Sequence, residues 1–212
     1  MIRIGVDATP LVAIVASFIG TTLAVQGGYV AAELGATAML GHFIALGGVR
    51  EMAPIIAGAM VAAKSGAAIA SELASMRHSE QIDAIEIMGI DSIRLLISPI
   101  VVATITITPL LVTIAVFFCI ASATLVATAV LHIDRSVFLE GLIAELSVDD
   151  LVFGIIKGAV FGMIVVFVSS YFGYHAKSGP DGIAHATNRS VVVICILAIF
   201  FNFIFTSIVY GG

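Results

Sequence analysis

Charged residues are scarce in this sequence. Asp, Glu, Lys and Arg make up 11% of its 212 residues, whereas hydrophobic residues make up 60% and the mean hydropathy is +1.19. Because soluble domains carry about 25% charged residues, this composition excludes an ordinary water-soluble protein and indicates an integral membrane protein. The formal net charge of −5, with no cluster of Lys and Arg, also excludes nucleic acid as a main partner.

Residues arranged for catalysis are missing as well. The sequence holds no GxxxxGK[ST] motif, so it cannot hold nucleotide phosphates in a P-loop. Its five histidines form no HExxH pair of zinc ligands and provide no base for an intramembrane nucleophile such as Ser65. Cys119 and Cys195 lie inside apolar runs, which favours packing over a disulfide or a metal site. We therefore expect no enzymatic activity, and neither a cofactor nor a metal ion bound by this chain.

Long hydrophobic runs fill most of the chain. At about 20 apolar residues per bilayer crossing, they predict five membrane segments, at about 8–32, 44–76, 93–131, 151–174 and 183–210. The second and third runs exceed one perpendicular helix, so we expect tilt, extensions beyond the lipid, or kinks at Pro54, Pro99 and Pro109. The fold class predicted is an all-α integral membrane protein, with residues 1–212 forming a single transmembrane domain.

Lys and Arg near the segment ends predict the orientation. Arg3 precedes the first segment, Arg77 and Arg94 follow the second, and Lys177 and Arg189 follow the fourth. These three regions therefore belong in the cytoplasm, because cytoplasmic loops carry an excess of Lys and Arg. The other two linkers are poor in basic residues, and an odd number of crossings then places the C-terminus outside.

Small residues recur at every fourth position of the second segment. One row contains Gly58, Ala62, Gly66, Ala70 and Ala74, and the next contains Ala59, Ala63, Ala67, Ser71 and Ser75. This spacing places each row on one helix face, where helix backbones can approach closely. The sequence leaves open whether these faces pack inside the chain, contact a second copy or line a substrate cavity.

Apart from residues near the segment ends, the ionisable residues within the apolar segments include Arg50, Glu51, Lys64, Glu72 and Lys157. Each costs at least about 2.5–3.5 kcal/mol at membrane depth unless it is paired or hydrated. Arg50 and Glu51 are adjacent, so they point about 100° apart on a helix and need not pair with each other. They form either a hydrated interfacial pair or the polar edge of a substrate chamber. Lys64 is able to extend towards the inner surface, and Glu72 is one conceivable partner of Lys157.

The linker between the second and third segments has the pattern of a short amphipathic helix. Ser79 is a plausible N-cap and Gly89 is the expected stop. One row of its residues is acidic and another is apolar, namely Glu80, Asp83 and Glu86, and then Ile82, Ile85 and Met88. The helix is too short to cross the bilayer, so we expect it on the cytoplasmic face, as a connector or as a docking helix for a cytoplasmic subunit.

Five motifs in order cover about four fifths of the chain. They are VREMAPIIAGAMVAAKSGAAIASEL, EQIDAIEIMGID, RLLISPIVVATITITPLL, IIKGAVFGMIV and GYHAKSGPDGIAHATNRSVVV. Together they resemble the MlaE-type permease family, also known as the YrbE family, which comprises membrane subunits of lipid-transporting ABC systems. Members of that family generally begin with an additional interfacial helix. We expect this helix to be absent from this sequence because the first apolar run starts almost at once, which leaves open whether the chain is naturally short or its start is missing.

The resemblance implies partners and roles beyond those that the residues themselves indicate. It implies a homodimer in the inner membrane, a pair of cytoplasmic ATPases that use ATP and Mg²⁺, and an MCE-domain protein that exchanges phospholipid with a cavity between the two permeases. By motif match, Arg50, Glu51 and Lys157 belong near the lipid cavity. The helix that couples to the ATPase then carries Glu80, Gln81, Asp83, Glu86, Met88 and Gly89.

An ion-coupled secondary carrier is the alternative from another mechanistic class. Glu51, Glu72 and Lys157 would form its relay, since ionisable residues within membrane segments are typical of proton pathways. Such a carrier would transport its substrate without any ATPase.

Overall fold

The computed structural model describes residue 5 and residues 7–210, a region that contains seven helices and no strand. They are α1 (Thr9–Glu33), α2 (Thr37–His78), α3 (Gln81–Ile87), α4 (Ile93–Ala129), α5 (Arg135–Glu145), α6 (Val148–Tyr174) and α7 (Pro180–Tyr210). Five of them, α1, α2, α4, α6 and α7, are long and apolar enough to span a membrane. The predicted all-α membrane fold with five spanning segments is therefore confirmed. The predicted orientation also involves Arg3 and the C-terminal residues 211–212, which lie outside the described residues.

Prolines interrupt the regular α-helical geometry at two of the three expected positions. The backbone of α2 is a π-helix over Ile44–Met52, which ends two residues before Pro54, and α4 begins with a π-helix over Ile93–Ile97, which ends two residues before Pro99. Proline has no N–H to donate to the carbonyl four residues earlier, which favours a wider turn there. Pro109 lies inside α4, which stays α-helical through it. A further π-turn, Ala62–Gly66, contains no proline.

The helix α5 is absent from the predicted segments, because its 11 residues are too few for a hydropathy window to detect. Asp134 caps its N-terminus by accepting a hydrogen bond from the Ser136 N–H at 2.9 Å, and this bond lowers the pKa of Asp134 below its ordinary value. Phe138 is buried in a cluster with Leu40 of α2 and Val126 of α4. The contact with Leu40 explains why α2 begins at Thr37, seven residues before the predicted start at 44.

Small residues allow α6 to pack closely against α2, α4 and α7. The row of small residues from Gly58 to Ala74 is buried along its whole length. Gly58 lies against Phe161 of α6, and Gly66 lies against Ser169 of the same helix. Without a hydrophobic force between helices in lipid, such close packing is a main source of cohesion. Internal packing is therefore the role of this first row.

Replacing Gly158 by Ala tests the close approach of α6 to α4. A methyl group at Gly158 would lie 2.9 Å from the Cα atom of Pro109, a backbone atom that cannot move aside locally. We expect G158A to lower the free energy of unfolding by about 1–3 kcal/mol, measured by SDS-induced unfolding in mixed micelles. Gly154, one turn earlier, has no such neighbour within 4 Å, so G154A is the matched control and should be neutral or stabilising by up to about 1 kcal/mol. Equal effects of the two substitutions would contradict this packing.

Candidate functional site

Arg50 in the first π-turn of α2 is fixed by the start of α6. Its Nε atom lies 2.9 Å from Asp150 Oδ1, and its Nη2 atom donates to Asp150 Oδ2 at 3.0 Å and to the Glu145 carbonyl oxygen at 2.8 Å. Asp150 is buried and also accepts the Ser147 N–H at 2.8 Å, which completes a capping box at the N-terminus of α6. One carboxylate thus both caps α6 and pairs with the guanidinium, a strong charge-assisted arrangement.

Glu51, the next residue, connects α2 to α6 and α7. Its carboxylate accepts hydrogen bonds from Lys157 Nζ at 3.2 Å, from Asn202 Nδ2 at 2.7 Å and from the Thr206 hydroxyl at 2.8 Å. Lys157 is only 2% exposed. Its Nζ atom also donates to the Arg50 carbonyl oxygen at 3.2 Å, the carbonyl to which Pro54 cannot donate. The ammonium group therefore compensates the charge of Glu51 and donates to the backbone carbonyl that Pro54 leaves without its usual donor.

The three residues predicted for the lipid cavity are thus brought together, but they face neighbouring helices. Lys157 pairs with Glu51 rather than with Glu72, the partner considered from the sequence. Arg50 and Glu51 point to different partners, as expected for adjacent residues of a helix. Their role at a lipid cavity stays a prediction. We refer to Arg50, Glu51 and Lys157 with their partners Glu145, Asp150, Asn202 and Thr206 as the charge network.

The partners in the charge network were not predicted from the sequence, although two of them, Asp150 and Asn202, leave a signal there. Ser147 and Asp150 have the spacing of a capping box, which marks the start of α6 and a carboxylate close to it. Asn202 is an amide inside an apolar run, where an unpaired polar group would be costly. Glu145 and Thr206 carry no comparable signal.

An apolar cavity of about 640 Å³ adjoins the charge network, between α1 and the start of α2. Val30, Leu34 and Phe43 are among its lining residues, and His42 and Glu145 form its polar edge. The Nδ1 atom of His42 lies 3.4 Å from Glu145 Oε2, and both side chains are partly exposed. This size and polarity are typical of pockets for apolar ligands.

At the other end of the bundle, α3 is fastened to α2 and α6. The carboxylate of Glu86 accepts hydrogen bonds from the Tyr174 hydroxyl at 2.7 Å and from the Ser92 hydroxyl at 2.8 Å. Arg77 at the end of α2 donates to Asp83 at 2.6 Å. The bond from Tyr174, followed by that from Ser92, holds the pKa of Glu86 below its ordinary value of 4.5.

The boundaries of α3 differ from the prediction at one end. Ser79 is not the N-cap, because its hydroxyl donates back to the Ser75 carbonyl oxygen at 2.9 Å and so belongs to the end of α2. Glu80, with a φ of 57°, makes the turn between the helices. The predicted stop is confirmed, since Gly89 has a φ of 79° and its N–H donates to the Glu86 carbonyl oxygen at 2.9 Å. That arrangement is a Schellman motif, for which glycine is favoured.

The residues of α3 divide into an anchored and an exposed set. Ile82 is fully buried, whereas Ile87 is 87% exposed and Met88 is 66% exposed. Glu80 and Gln81 are exposed as well. Asp83 and Glu86, two of the residues predicted to contact an ATPase, bind the chain's own Arg77 and Tyr174 instead of projecting freely. The coupling role of this helix stays a prediction.

Comparison with known proteins places the whole chain in one family. Residues 1–208 match the family described as Permease MlaE. The chain belongs to the MlaE permease family. A probable ABC transporter permease protein of Rickettsia bellii is 33% identical over 210 residues, which are 99% of this chain and 81% of that relative. The intermembrane phospholipid transport system permease protein MlaE of Haemophilus influenzae is 28% identical, over 99% of this chain and 80% of its own length. The chloroplastic protein TRIGALACTOSYLDIACYLGLYCEROL 1 of Arabidopsis thaliana is 29% identical, over 99% of this chain and 60% of its own length.

A double-mutant cycle measures the ion pair between Glu51 and Lys157. Lys157→Gln leaves a carboxylate in the membrane span without its cation, so we expect the free energy of unfolding to fall by about 3 kcal/mol. Glu51→Gln should have a similar effect, and the double variant should lose less than the two single losses together, with a coupling energy of about 1–3 kcal/mol. Lys64→Gln is the control, because Lys64 is exposed and forms no ion pair with another described residue. Additive single effects would contradict the pairing.

The pKa of Glu86 reports directly on the attachment of α3. The pKa of Glu86 is lowered in the folded state, so the two hydrogen bonds stabilise the attachment of α3 fully at pH values above the ordinary pKa of 4.5. This stabilisation is lost as the pH falls through the lowered pKa. We expect Tyr174→Phe to raise the pKa of Glu86 towards 4.5, as measured by carbon-detected NMR of the carboxyl groups. The pKa of Asp134, which Ser136 lowers, should not change. An unchanged pKa of Glu86 would show that Tyr174 does not hold it.

Proposed function

We propose that this chain is the permease subunit of an ATP-driven phospholipid transporter and has no enzymatic activity of its own. Membership of the MlaE family and the name of the Haemophilus influenzae relative support this function. The structural observation that carries it is α3, a short helix outside the spanning segments, anchored to α2 and α6 while its apolar end is exposed. Such a helix is suited to transmit movement from a partner into the bundle.

The exposed end of α3 is the proposed contact with a separate ATPase pair. Since the sequence has no P-loop, ATP and Mg²⁺ would be bound by that partner. Ile87 and Met88 provide the apolar surface, and Glu80 and Gln81 provide polar contacts beside it. Gly89 terminates the helix, and Asp83 and Glu86 tie it to the bundle, so movement of α3 would pass through Arg77 to α2 and through Tyr174 to α6.

The outward face of α2 is the proposed contact with a second copy of the chain. The second row of small residues, from Ala59 to Ser75, is partly or fully exposed. Lys64 and Glu72 are exposed on the same helix. Charged groups at membrane depth need water or a partner, so two such faces would enclose a partly hydrated chamber. Closure of the ATPases would open or collapse this chamber in an alternating-access cycle.

The phospholipid is proposed to enter beside the charge network, at the end of the bundle opposite α3. Arg50, Glu51 and Lys157 would hold the rim in place, whereas the partly exposed His42 and Glu145 would meet the polar headgroup. The apolar cavity next to them would accept an acyl chain. This end would face an MCE-domain partner, with the protein in the inner membrane, α3 in the cytoplasm and the C-terminus outside.

An ion-coupled carrier is the second candidate, and the buried pair of Lys157 and Glu51 is the observation that favours it. Ionisable pairs within membrane segments also serve as proton relays. Transport by the purified chain alone in a proton gradient would support the carrier and contradict the ATP-driven permease.

Charge placed on the exposed end of α3 tests the docking of the ATPase. We expect Ile87→Asp with Met88→Asp to reduce copurification of the ATPase and lipid-stimulated ATP hydrolysis at least tenfold, because two apolar contacts would become charged. Val148→Asp is the matched control, since Val148 is 77% exposed at the opposite end of the bundle. Unchanged binding and hydrolysis in the Ile87 and Met88 variant would overturn the proposed docking site.

A further inference from the structure

Two adjoining cavities lie at the end of the bundle that carries α3. One, of about 450 Å³, surrounds the turn between α6 and α7 and is lined by Lys177 and Arg189. The other, of about 750 Å³, is an apolar groove between the start of α4, the end of α6 and α7. Phe172 and His175 line both cavities, so the basic cavity and the apolar groove form one continuous depression.

The basic cavity carries uncompensated positive charge. Lys177 and Arg189 are exposed, and neither forms an ion pair with another described residue. Arg189 lies one helical turn after His185, which lines the same cavity, so both side chains emerge on one face of α7. Asp181 is the only carboxylate in the described lining, and it offsets one of the two positive charges. The remaining positive charge suits a phosphate group.

The apolar groove lies on helices that span the membrane. Ile93, Ile97 and Val193 form its walls, and the exposed Phe167 and Tyr171 lie along α6. A soluble anion would leave this surface uncovered, whereas a lipid has an acyl chain of matching chemistry. Because the positive charge lies at the end of a spanning helix and the apolar surface lies within it, the order of the two regions is that of a phospholipid in a bilayer leaflet.

We propose that this depression binds an anionic phospholipid, with its phosphate against Lys177 and Arg189 and one acyl chain along the groove. This site is separate from the apolar cavity beside His42 and Glu145 and goes beyond the proposed transport route. Tyr174, which donates a hydrogen bond to Glu86 of α3, also lines the groove. A lipid bound there would therefore contact the residue that anchors α3.

A tryptophan reporter tests the site, because the sequence contains no Trp. The full chain with Phe172→Trp is placed in phosphatidylcholine nanodiscs with increasing fractions of brominated phosphatidylglycerol or brominated phosphatidylcholine, and quenching of fluorescence is recorded. We expect brominated phosphatidylglycerol to quench at a roughly fivefold lower mole fraction than brominated phosphatidylcholine, since cationic side chains near the surface favour anionic lipid. Tyr171→Trp, at an exposed position of the same groove, is the second reporter if the first variant does not fold.

Charge variants then assign the preference to the basic cavity. Lys177→Gln with Arg189→Gln should remove the preference for phosphatidylglycerol, whereas Arg135→Gln, at an exposed position of α5, should keep it. An equal preference in both variants, or none in the original chain, would overturn the proposal. So would a reporter that neither lipid quenches, which would mean that protein covers the groove, or displacement of phosphatidylglycerol by glycerol phosphate at an equal concentration, which would mean that the cavity binds a soluble anion.

Discussion

Charged side chains inside the membrane need a partner or water, and the pairing of the buried ones determines how the helices of the protein are held together. The charge network joins α2 to α6 through the pairs of Arg50 with Asp150 and of Glu51 with Lys157, and it joins α2 to the end of α7 through the hydrogen bonds that Glu51 accepts from Asn202 and Thr206. Removing one partner of either ion pair would leave an uncompensated charge at low dielectric, which costs more than the pair gains. The network therefore specifies one relative position of these helices more strongly than it contributes net stability.

The helix α6 connects this network to the opposite end of the bundle. It carries Asp150 and Lys157 in its first turns and Tyr174 at its last residue, where the phenol binds Glu86 of α3. Glycine and alanine on α2 allow the close packing that holds α6 between the two ends. In the proposed transporter, α6 is thus the direct link between the helix that meets the ATPase and the charges beside the lipid cavity.

The sequence was sufficient for those features that depend on local composition. Bilayer thickness requires long apolar runs, so the five spanning helices were predictable, and Gly89 marked the end of α3 because few residues other than glycine adopt its backbone conformation. Hydropathy shows how deep a residue lies but not which neighbour it faces. The pairing of Glu51 with Lys157, which are 106 positions apart, therefore required the tertiary structure. The cap of α3 was misassigned because the hydroxyl of Ser79 is equally able to bond back to α2.

The most direct test of α6 as a link is a pair of structures of the assembled transporter, with and without bound nucleotide, in which the distance between the Glu86 carboxylate and the Tyr174 hydroxyl is compared. A rigid link requires this contact, 2.7 Å here, to persist in both states while the separation between the two copies of α2 changes. A structure in which α3 moves with the ATPase and Glu86 separates from Tyr174 would contradict the role of α6 as a rigid link.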